Sequence, residues 1–374
     1  MSFGKLNIAY MFGGMNRGGA ETIMLDLFRN HQRATFSFIG IHRKGGAYRD
    51  AFYNAGPNMA QLTPKRFGYV GYLLKLRRLL KQEGITVVHT QHWLDCIYAW
   101  LATMGMRVQI VNTFHGFYSM KGIAGWLCRM SIRMADDVCF VSKYEQDWYQ
   151  RQMRIKDERC HIIFNGVDFQ KIDMAGKREE VRGKSRIKLC MVGNFMTGRD
   201  HLTLVKALTL VESRKSKVES FDFYFVGKRS EATPYIYDEC VRICEENGMK
   251  NVHFLGARSD VPALLKQMDG FVYSTDHDTF GIAVVEAMAA GLPIVVNDWP
   301  VMKEVCGESG ENYVRYFKSK DADSCAEAIL QLQKDISASS AEFKLRCARN
   351  AQWARERYSI ESYIATLSQI YRKD

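Results

Sequence analysis

The sequence predicts an α/β protein with two Rossmann-like, doubly wound parallel sheets, one in each half of the chain. Short apolar runs alternate with amphipathic segments along both halves, and strands that alternate with helices are typical of parallel sheets with crossover connections. This alternation breaks once, near the middle of the chain. The length of 374 residues is also sufficient for two domains of ordinary size.

In the first half, apolar runs of strand length alternate with segments whose apolar residues recur at helical spacing. The predicted strands are Leu6–Phe12, Phe36–Ile41, Thr86–His89, Gln109–Thr113 and Val138–Val141. The predicted helices are Ala20–Asn30, Val70–Glu83, Leu94–Met104 and Gly125–Met134.

Between the halves, the turn signal Asn165–Asp168 and the polar tract Lys177–Arg186 interrupt the pattern. They predict a linker between an N-terminal domain of residues 1–175 and a C-terminal domain of residues 184–354.

The second half repeats the rhythm of the first. Its predicted strands are Ile187–Val192, Phe221–Val226, Val252–Leu255, Gly270–Tyr273, Ile294–Val296 and Asn312–Tyr316. Its predicted helices are His201–Ser213, Ile236–Asn247, Val261–Gln267, one that follows Thr279–Ile282 and is closed by Gly291, and Ala322–Leu332. The last fifty residues are predicted to be helical.

Composition predicts a soluble globular protein, because 47% of the residues are hydrophobic and 25% are charged. No run of about 18 apolar residues occurs, so no membrane-spanning helix is predicted. The ten cysteines are scattered without a CxxC pair. They indicate reduced thiols and a cytoplasmic location.

The net charge of +11 is concentrated in the first half of the chain. Residues 1–175 contain 23 Lys and Arg against 13 Asp and Glu, whereas the remainder contains 29 against 28. Such asymmetry suits an anionic partner, which is a nucleic acid, a lipid headgroup surface or an anionic substrate. A merely solubilising basic surface is the alternative. Few aromatic residues interleave the basic stretches and no nucleic-acid motif occurs, so a nucleic-acid partner is not expected.

The loops that suggest ligand binding all follow predicted strands. They are Gly13–Gly19, His89–Trp93, Phe114–Gly116, Asn194–Asp200, Gly227–Arg229, Gly256–Arg258 and Thr275–Gly281. Ligands of open parallel sheets bind at the carboxyl ends of the strands. Two sheets with such loops predict two domains that face each other across a ligand-binding cleft.

The stretch Ser274–Val296 combines a strand end, an acidic turn, a glycine and a helix. The residues around Thr279–Ile282 would present free backbone N–H groups at a helix N-terminus, which is a ready anion site. Asp278 and Glu286 lie eight residues apart, one before this helix and one in its second turn. The stretch therefore predicts binding of a phosphate-bearing ligand beside two carboxylates.

The loop Gly13–Gly19 follows the first strand, but its glycines do not match the dinucleotide pattern G-x-G-x-x-G. NAD binding therefore loses its strongest support. Paired glycines such as Gly14 still let a backbone approach a ligand closely, and a flexible loop is the alternative. Arg199 begins a helix in the second half and can bind a diphosphate with its guanidinium fork; a surface arginine is the alternative. His115 ends a strand, where a substrate contact competes with simple packing.

No metal site is predicted. Asp276 and Asp278 form a D-x-D pair suited to divalent ions, but the helix N-terminus and nearby cations already neutralise phosphate. His89 and His92 have ligand spacing without an evident third ligand. We expect structural or substrate-contacting roles for these two histidines.

Two basic helices, Val70–Glu83 and the one containing Trp126–Arg133, permit two interpretations. They rest on an anionic membrane face, or their apolar residues face the sheet and their cations face water. Leucine spacing favours the second interpretation for the first helix. For the other helix, exposed Trp126 and Leu127 beside Arg129 and Arg133 favour the membrane.

These motifs together resemble the retaining nucleotide-sugar glycosyltransferases of family 4, which have the GT-B fold, and the resemblance covers nearly the whole chain. Its most specific part is E-x-x-F-G-x-x-x-x-E followed by A-x-A-x-G-x-P. The matching residues here are Asp278, Phe280, Gly281, Glu286, Ala287, Ala289, Gly291 and Pro293. Supporting matches are Gly18-Gly19-Ala20-Glu21, His115-Gly116, Val141-Ser142, Asn165-Gly166-Val167-Asp168 and Phe254-Leu255-Gly256.

The resemblance implies a role for each candidate residue. Glu286 would hold the donor ribose, and Arg199 would neutralise the diphosphate. Asp278 and the N–H groups of Phe280, Gly281 and Ile282 would hold the donor sugar and distal phosphate. Gly14, with Gly18 and Gly19 in the same loop, would approach the diphosphate from the other domain, and His115 would contact the sugar. Backbone near Gly227 and Arg258 would frame the base, and a C-terminal helix of about residues 355–374 would complete the first domain.

Two positions depart from the family pattern. Asp278 is one methylene shorter than the family's glutamate. Asn194 and Arg199 stand where the family has Arg and Lys around the diphosphate. Weaker or altered donor binding is therefore expected rather than inactivity.

The resemblance implies a retaining hexosyltransferase without a metal or other cofactor. It would move sugar from a UDP- or GDP-linked donor to a glycan or lipid-linked glycan in surface polysaccharide biosynthesis. It would act in the cytoplasm or on the inner face of the cytoplasmic membrane. Three alternatives stay open: a nucleotide-sugar epimerase or phosphorylase of the same architecture, a catalytically inactive scaffold, and a non-catalytic basic binding protein.

Overall fold

The computed structural model describes residues 6–16, 18–153, 155, 157–176, 186–214, 220–307 and 311–372. The chain divides into two compact units. Unit 1 comprises Met1–Asp168 and Tyr358–Asp374, and unit 2 comprises Phe169–Arg357. The predicted domain limits of 1–175 and 184–354 stay a prediction, and residues 177–185 of the predicted linker lie outside the described residues.

Unit 1 is built on a parallel sheet of seven strands. The strands are β1 (Asn7–Phe12), β2 (Ser37–His42), β3 (Met59–Gln61), β4 (Val87–Thr90), β5 (Gln109–Phe114), β6 (Asp137–Phe140) and β7 (Cys160–Ile162). Their order is β3-β2-β1-β4-β5-β6-β7. The chain therefore reverses its direction of winding between β1 and β4, which makes that pair the topological switch point.

Six helices connect these strands. They are α1 (Gly19–Arg29), α2 (Arg49–Tyr53), α3 (Pro64–Gln82), α4 (Trp93–Thr103), α5 (Gly122–Met134) and α6 (Lys143–Met153). Helix α3 buries Tyr72, Leu76 and Leu80 against the β1–β4 side of the sheet. The helical leucine spacing of this segment is thus a core-facing stripe.

Unit 2 repeats the arrangement with six strands. They are β8 (Ile187–Val192), β9 (Phe221–Val226), β10 (Val252–Phe254), β11 (Gly270–Tyr273), β12 (Ile294–Asn297) and β13 (Val314–Phe317). They form a parallel sheet in the order β10-β9-β8-β11-β12-β13. Its switch point lies between β8 and β11.

The helices of unit 2 follow in chain order. They are α7 (Gln170–Met174), α8 (His201–Ser213), α9 (Pro234–Glu246), α10 (Val261–Leu265), α11 (Ile282–Ala289), α12 (Pro300–Cys306), α13 (Ala322–Ala338) and α14 (Ala341–Tyr358). Strands β11 and β12 are fully buried, as expected for the centre of a parallel sheet that helices cover on both faces.

The last helix, α15 (Ile360–Arg372), belongs to unit 1. The hydroxyl of Tyr371 lies 2.6 Å from the hydroxyl of Tyr10 on β1 and 2.5 Å from Nδ1 of His89 on β4. The other ring nitrogen of His89 lies 2.7 Å from Oγ1 of Thr113 on β5. Burial lowers the pKa of His89 to about 3. The hydrogen bonds of Tyr371 and of the neutral His89 therefore tie the C-terminal helix to strands β1, β4 and β5.

The predicted fold class of two doubly wound parallel α/β sheets is confirmed. The strands β3 and β7, of three residues each at the two edges of their sheet, escaped prediction. Helix α6 was missed because its sequence, KYEQDWYQRQM, is mostly polar. Helix α3 is interrupted by one non-helical residue, Gly68, at φ 68° and ψ 166°. Its main segment follows Gly68 and agrees with the predicted start at Val70. Residues 64–67 form a preceding turn that Thr63 caps, and proline suits the first position of this turn.

Candidate functional site

In unit 2 the candidate residues gather around the switch point between β8 and β11. The loop after β8 leads through Asn194 and Arg199 into α8, and the loop after β11 leads through Asp278 into α11. An antiparallel bridge between Arg199 and Thr275 joins the two loops. The structure therefore brings Arg199 next to the acidic turn.

Arg199 forms an ion pair with Asp278, from Nη1 to Oδ1. The hydroxyl of Tyr273, the last residue of β11, donates to the other carboxylate oxygen at 2.5 Å. Burial raises the pKa of the Tyr273 hydroxyl well above its ordinary value, which keeps it protonated as a donor. Burial by itself lowers the pKa of Arg199. The nearby oxygens of Tyr273 and Asp278 stabilise the charged guanidinium by more than burial destabilises it, so the pKa of Arg199 is raised.

The acidic turn is held by a second set of hydrogen bonds. Oγ1 of Thr275 donates to the carbonyl of Gly198 at 2.6 Å and accepts from the N–H of Asp278 at 3.2 Å. The amide of Asn297, at the end of β12, bonds both backbone groups of Thr275 at 3.0 and 2.7 Å. The indole of Trp299 donates to the carbonyl of Asp278 at 2.9 Å. Hydrogen bonds with Gly198, Asn297 and Trp299 thus hold the acidic turn in place.

Gly281 starts α11 in a left-handed conformation, with φ 91° and ψ 60°. A Cβ atom at this position would lie 2.8 Å from Cε of Met302. The left-handed conformation favours glycine here, whereas the Met302 methyl group ends a flexible side chain and can move. The first N–H groups of a helix have no carbonyl partner within it, so this sharp entry leaves the backbone of Gly281 and Ile282 suited to an anion.

The other candidate residues of this segment, Phe280, Ile282 and Glu286, differ in how deeply they are buried. Phe280 is 2% exposed, so its ring packs in the core and only its backbone is suited to a ligand. Ile282 and Glu286 are half-buried. Glu286 occupies the second turn of α11, as predicted.

Asn194 and Gly227 lie just after the adjacent strands β8 and β9. A Cβ atom on Gly227 would lie 2.0 Å from the carbonyl oxygen of Gly193, so close backbone packing requires this glycine. Oδ1 of Asn194 accepts from the N–H of Lys228 at 3.0 Å. Asn194 therefore positions the loop that carries Lys228.

Most cations at this edge of unit 2 have acidic partners within the unit. Arg258 pairs with Asp260 and Arg229 with Asp238, both through two hydrogen bonds. Exposed Lys228 has no acidic partner among the residues that the structure describes. Lys318, after the edge strand β13, shares this property, but it lies two strands away from β11.

The D-x-D pair does not act as one unit. Nζ of Lys320 lies 2.5 Å from a carboxylate oxygen of Asp276, whereas Asp278 pairs with Arg199. Within the described ranges, no cluster of three or more His, Cys, Asp or Glu side chains could hold a metal ion. His89 belongs to the network with α15, and Nδ1 of His92 caps α4 by accepting from the N–H of Leu94 at 3.1 Å.

In unit 1 the glycine loop follows β1 and packs against the loop after β2. The N–H of Lys44 donates to the carbonyl of Gly13 at 3.0 Å, and that of Tyr48 donates to Met15 at 2.8 Å. A Cβ atom on Gly14 would meet its nearest neighbour, the Gly45 carbonyl oxygen, at an ordinary 3.6 Å. Packing within unit 1 therefore does not require glycine at position 14. Arg17, in the same loop, lies outside the described residues.

Gly18 caps α1 and Gly19 is its first residue. A Cβ atom on Gly18 would lie 2.4 Å from a carboxylate oxygen of Glu21. Burial raises the pKa of Glu21. Gly18 thus makes room for a carboxylate folded back over the helix start, while Gly19 is exposed.

His115 follows β5 and is half-buried. Its Nε2 lies 2.7 Å from Oε1 of Gln91, the residue that follows β4. Burial lowers the pKa of His115 to about 4. The imidazole is therefore neutral near pH 7 and suited to hydrogen bonding with a polar ligand rather than to ion pairing.

The two basic helices of unit 1 expose apolar side chains. On α3, Tyr69, Val70 and Leu74 are exposed, although its leucines at positions 76 and 80 are buried as predicted. On α5, Ile123 and Trp126 are exposed. The expectation that Leu127 is exposed is wrong, because this side chain is half-buried beside the buried face of α5. Among the helices that the structure describes, none is both long and apolar enough to cross a bilayer.

Sequence reasoning missed Tyr273, Lys228 and Gln91. Each lies in or beside a loop that the sequence does mark as a strand end. Tyr273 resembles any other aromatic residue of a buried strand, and its bond to Asp278 becomes visible only in three dimensions.

Two family models match the chain. The model described as "Glycosyltransferase Family 4" matches residues 17–171, and the model described as "Glycosyl transferases group 1" matches residues 186–335.

Curated relatives and solved structures agree with these matches. The chain is 25% identical over 343 residues to the GDP-mannose:cellobiosyl-diphosphopolyprenol alpha-mannosyltransferase of Xanthomonas campestris, covering 86% of each chain. It is 24% identical over 278 residues to the UDP-Gal:alpha-D-GlcNAc-diphosphoundecaprenol alpha-1,3-galactosyltransferase of Escherichia coli, covering 70% of each. A glycosyltransferase structure from Rickettsia africae superposes with a TM-score of 0.85 at 16% identity, covering 99% of both chains. The Anabaena protein HepE in complex with UDP and glucose superposes with a TM-score of 0.80 at 15% identity, covering 98% of this chain and 99% of that one.

Proposed function

Because the chain belongs to the glycosyltransferases with the GT-B fold and resembles family 4 among them, we propose that it is a retaining hexosyltransferase. It moves a sugar from a UDP- or GDP-linked donor to a glycan or lipid-linked glycan in surface polysaccharide biosynthesis. The observation that carries this proposal is the ion pair of Arg199 with Asp278, in the turn that leads into α11 at the switch point of unit 2. A guanidinium beside free helix N–H groups suits a diphosphate.

The named relatives support the choice of substrates. One relative uses GDP-mannose and another UDP-galactose, and the acceptors in both names are sugars on a polyprenyl diphosphate. One neighbouring structure contains UDP and glucose. The proposal therefore includes both nucleotides and a lipid-linked glycan as the acceptor.

Charge stabilisation of the leaving diphosphate is the proposed source of catalysis. Arg199 and the N–H groups of Gly281 and Ile282 meet the negative charge that develops as the glycosidic bond breaks. Glu286, half-buried in the second turn of α11, accepts hydrogen bonds from the ribose. The acceptor hydroxyl attacks the same face of the sugar that the diphosphate leaves, which retains the anomeric configuration.

Asp278 has a double role in this proposal. Its two carboxylate oxygens are held by Arg199 and Tyr273, so it orients the guanidinium toward the phosphate. An ionised carboxylate accepts about four hydrogen bonds. Capacity therefore remains for a hydroxyl of the donor sugar, despite the shorter side chain.

Lys228 supplies the second cation for the diphosphate. Asn194 cannot carry charge, but its side chain fixes the backbone of Lys228 at 3.0 Å. Strand β9 lies directly beside β8, so Lys228 and Arg199 extend from neighbouring strand ends. Gly227 and Arg258, on the loops after β9 and β10, frame the base.

In unit 1, Gly14 lets the backbone of the glycine loop, which also contains Gly18 and Gly19, approach the donor, and neutral His115 contacts the donor sugar. No metal is needed in this scheme, because cations and helix N–H groups neutralise the diphosphate. We expect transfer to persist in EDTA.

The exposed apolar residues of α3 and α5, beside their lysines and arginines, support a peripheral position on the inner face of the cytoplasmic membrane. Flotation with vesicles containing anionic lipid tests this position. We expect the unaltered protein to bind these vesicles. We expect this binding to be lost when Val70 and Leu74 are both changed to Ser. Equal flotation of this variant, or none by the unaltered protein, would remove the membrane from the proposal.

The activity test incubates the protein with UDP- and GDP-sugars and a polyprenyl-diphosphate-linked glycan. We expect an acceptor one sugar heavier and one nucleoside diphosphate released per transfer, with the anomeric configuration of the donor retained in the product. An epimer or a sugar phosphate instead of an extended glycan would indicate the epimerase or phosphorylase alternative. Binding without turnover would indicate an inactive scaffold.

A further inference from the structure

Gln91 is a buried amide at the switch point of unit 1. It follows β4, and its N–H donates to the carbonyl of Met11 on β1 at 2.9 Å. The side chain is only 7% exposed. The carboxyl ends of β1 and β4 are where ligands of a doubly wound sheet bind, so Gln91 lies at the point of the sheet where a ligand is expected.

Of the two polar atoms of the Gln91 side-chain amide, only the oxygen has a hydrogen-bond partner among the described residues. Oε1 lies 2.7 Å from Nε2 of His115. Nε2 of Gln91 has no hydrogen-bond partner among the residues that the structure describes. A buried N–H group without a partner costs free energy, so a polar atom is expected to complete it.

The bond to Gln91 determines which nitrogen of His115 carries the proton. An amide oxygen only accepts hydrogen bonds, so Nε2 of His115 is the protonated nitrogen and donates. The lone pair of the neutral ring is then on Nδ1. Gln91 therefore selects the tautomer with which His115 meets a ligand.

The strand that leads to Gln91 is held by side-chain hydrogen bonds. The preceding residue, Thr90, donates through Oγ1 to Oδ1 of Asn112 at 2.6 Å. One residue earlier, His89 is held by Tyr371 and Thr113. A shift of the strand end to satisfy the Gln91 amide would have to break these bonds.

We infer that Gln91 is a substrate-binding residue and also the positioning residue of His115. Its amide donates to an oxygen of the nucleotide sugar, which is a sugar hydroxyl or a phosphate oxygen, while its carbonyl holds His115 in one tautomer. This inference rests on the proposed function, because it takes the nucleotide sugar as the ligand.

Two substitutions separate the roles. Gln91→Glu keeps an acceptor for His115 and replaces the amide donor by an acceptor, whereas Gln91→Leu removes both groups. Gln61→Glu, at the exposed end of β3, adds the same charge at another strand end and is the control. Titration of histidines by NMR follows His115, and calorimetry gives Kd for UDP- and GDP-sugars and for UDP and GDP alone.

We expect Gln91→Glu to weaken binding of the nucleotide sugar roughly tenfold, as for a lost hydrogen bond. Weaker binding of the nucleotide sugar alone identifies a sugar hydroxyl as the partner. Weaker binding of the nucleoside diphosphate as well identifies a phosphate oxygen. The new carboxylate should also raise the pKa of His115 from its value of about 4. Gln91→Leu removes the hydrogen bond to Nε2 of His115. Gln61→Glu should change neither the affinity for the nucleotide sugar nor the pKa of His115.

Unchanged affinity in both Gln91 variants would overturn the binding role. An unchanged His115 titration in Gln91→Glu would overturn the positioning role. If the unaltered protein binds no nucleotide sugar, the proposed function fails and the substrate-binding role fails with it, but the NMR titration still decides whether Gln91 positions His115.

Discussion

The guanidinium of Arg199 forms an ion pair with the carboxylate of Asp278, although the two residues are 79 positions apart in sequence. The pair joins the loop after β8 to the loop after β11, on either side of the switch point of unit 2. The hydroxyl of Tyr273 holds the same carboxylate at 2.5 Å. A charged contact therefore fixes the relative position of the two loops that carry the candidate donor site.

This ion pair predicts strong energetic coupling between its members. The Asp278 side chain is 7% exposed and that of Arg199 29%, so removing either partner leaves a largely desolvated charge or polar group. We expect Arg199→Met and Asp278→Asn each to lower the free energy of unfolding by about 1–3 kcal/mol. The double variant should lose less than the sum, with a coupling of about 1–2 kcal/mol.

Chemical denaturation of the four proteins measures this coupling. The exposed pair Arg229–Asp238 is the matched control, for which we expect no measurable coupling. Additive losses for Arg199 and Asp278 would show that the pair does not form in solution.

A cation placed at position 194 is predicted to take over the diphosphate contact of Lys228. Lys228→Met should weaken nucleoside diphosphate binding by roughly 10–100-fold, the usual value of a charge-assisted hydrogen bond. Asn194→Arg in the same chain should restore much of the affinity, because residues 194 and 228 lie side by side. Calorimetric Kd values measure both effects, with Lys318→Met as the control. Equal affinities of the Lys228 and Lys318 variants would remove Lys228 from the site.

Gly281→Ala is predicted to destabilise unit 2. The substitution places a side chain at φ 91° and within 2.8 Å of Met302, and we expect a loss of about 1–3 kcal/mol in the free energy of unfolding. Gly176→Ala is the control, since a Cβ atom there meets nothing within 4 Å. Thermal unfolding of both variants decides the matter. A Gly281 variant as stable as the control would contradict the left-handed entry to α11.

Buried neutral histidines predict loss of stability in mild acid. Burial lowers the folded-state pKa of His89 to about 3 and those of His115 and His201 to about 4. The unfolded chain, with histidine pKa values of about 6.5, therefore binds more protons between pH 6.5 and 4. The free energy of unfolding should fall as the pH falls through this window, by up to about 1.4 kcal/mol per pH unit for each histidine.

The variant that tests this effect is His201→Gln. His201 is 1% exposed, and glutamine at this position does not titrate. Denaturation at several pH values should give a shallower slope for the variant than for the unaltered protein. Equal slopes for both proteins would mean that His201 is not a buried neutral group.

The fold was largely predictable because its signal is local. Central strands such as β12 contain a continuous apolar run, Ile294–Val296. Helix α9 buries its residues at helical spacing, at Ile236, Cys240, Ile243 and Cys244. The edge strands β3 and β7 and the polar helix α6 depend on pairing and packing with distant segments. Those elements have no comparable local pattern.

The candidate site was predictable as a set of loops but not as a set of contacts. The acidic turn before Gly281 has a recognisable sequence, and the structure gives the glycine the left-handed conformation that only glycine adopts readily. The bonds of Tyr273 to Asp278 and of Gln91 to His115 join residues on β11 or on adjacent strand ends. Only the folded geometry reveals them.

The most direct measurement is the affinity for UDP and GDP of the unaltered protein, Arg199→Met and Arg242→Met. Arg242 is an exposed arginine on α9 that pairs with Glu239 and Glu246, so it serves as the control. If the switch point of unit 2 holds the donor diphosphate, the unaltered protein binds UDP or GDP, Arg199→Met raises its Kd by at least roughly tenfold, and Arg242→Met leaves it unchanged. Equal Kd values for all three proteins would contradict the account.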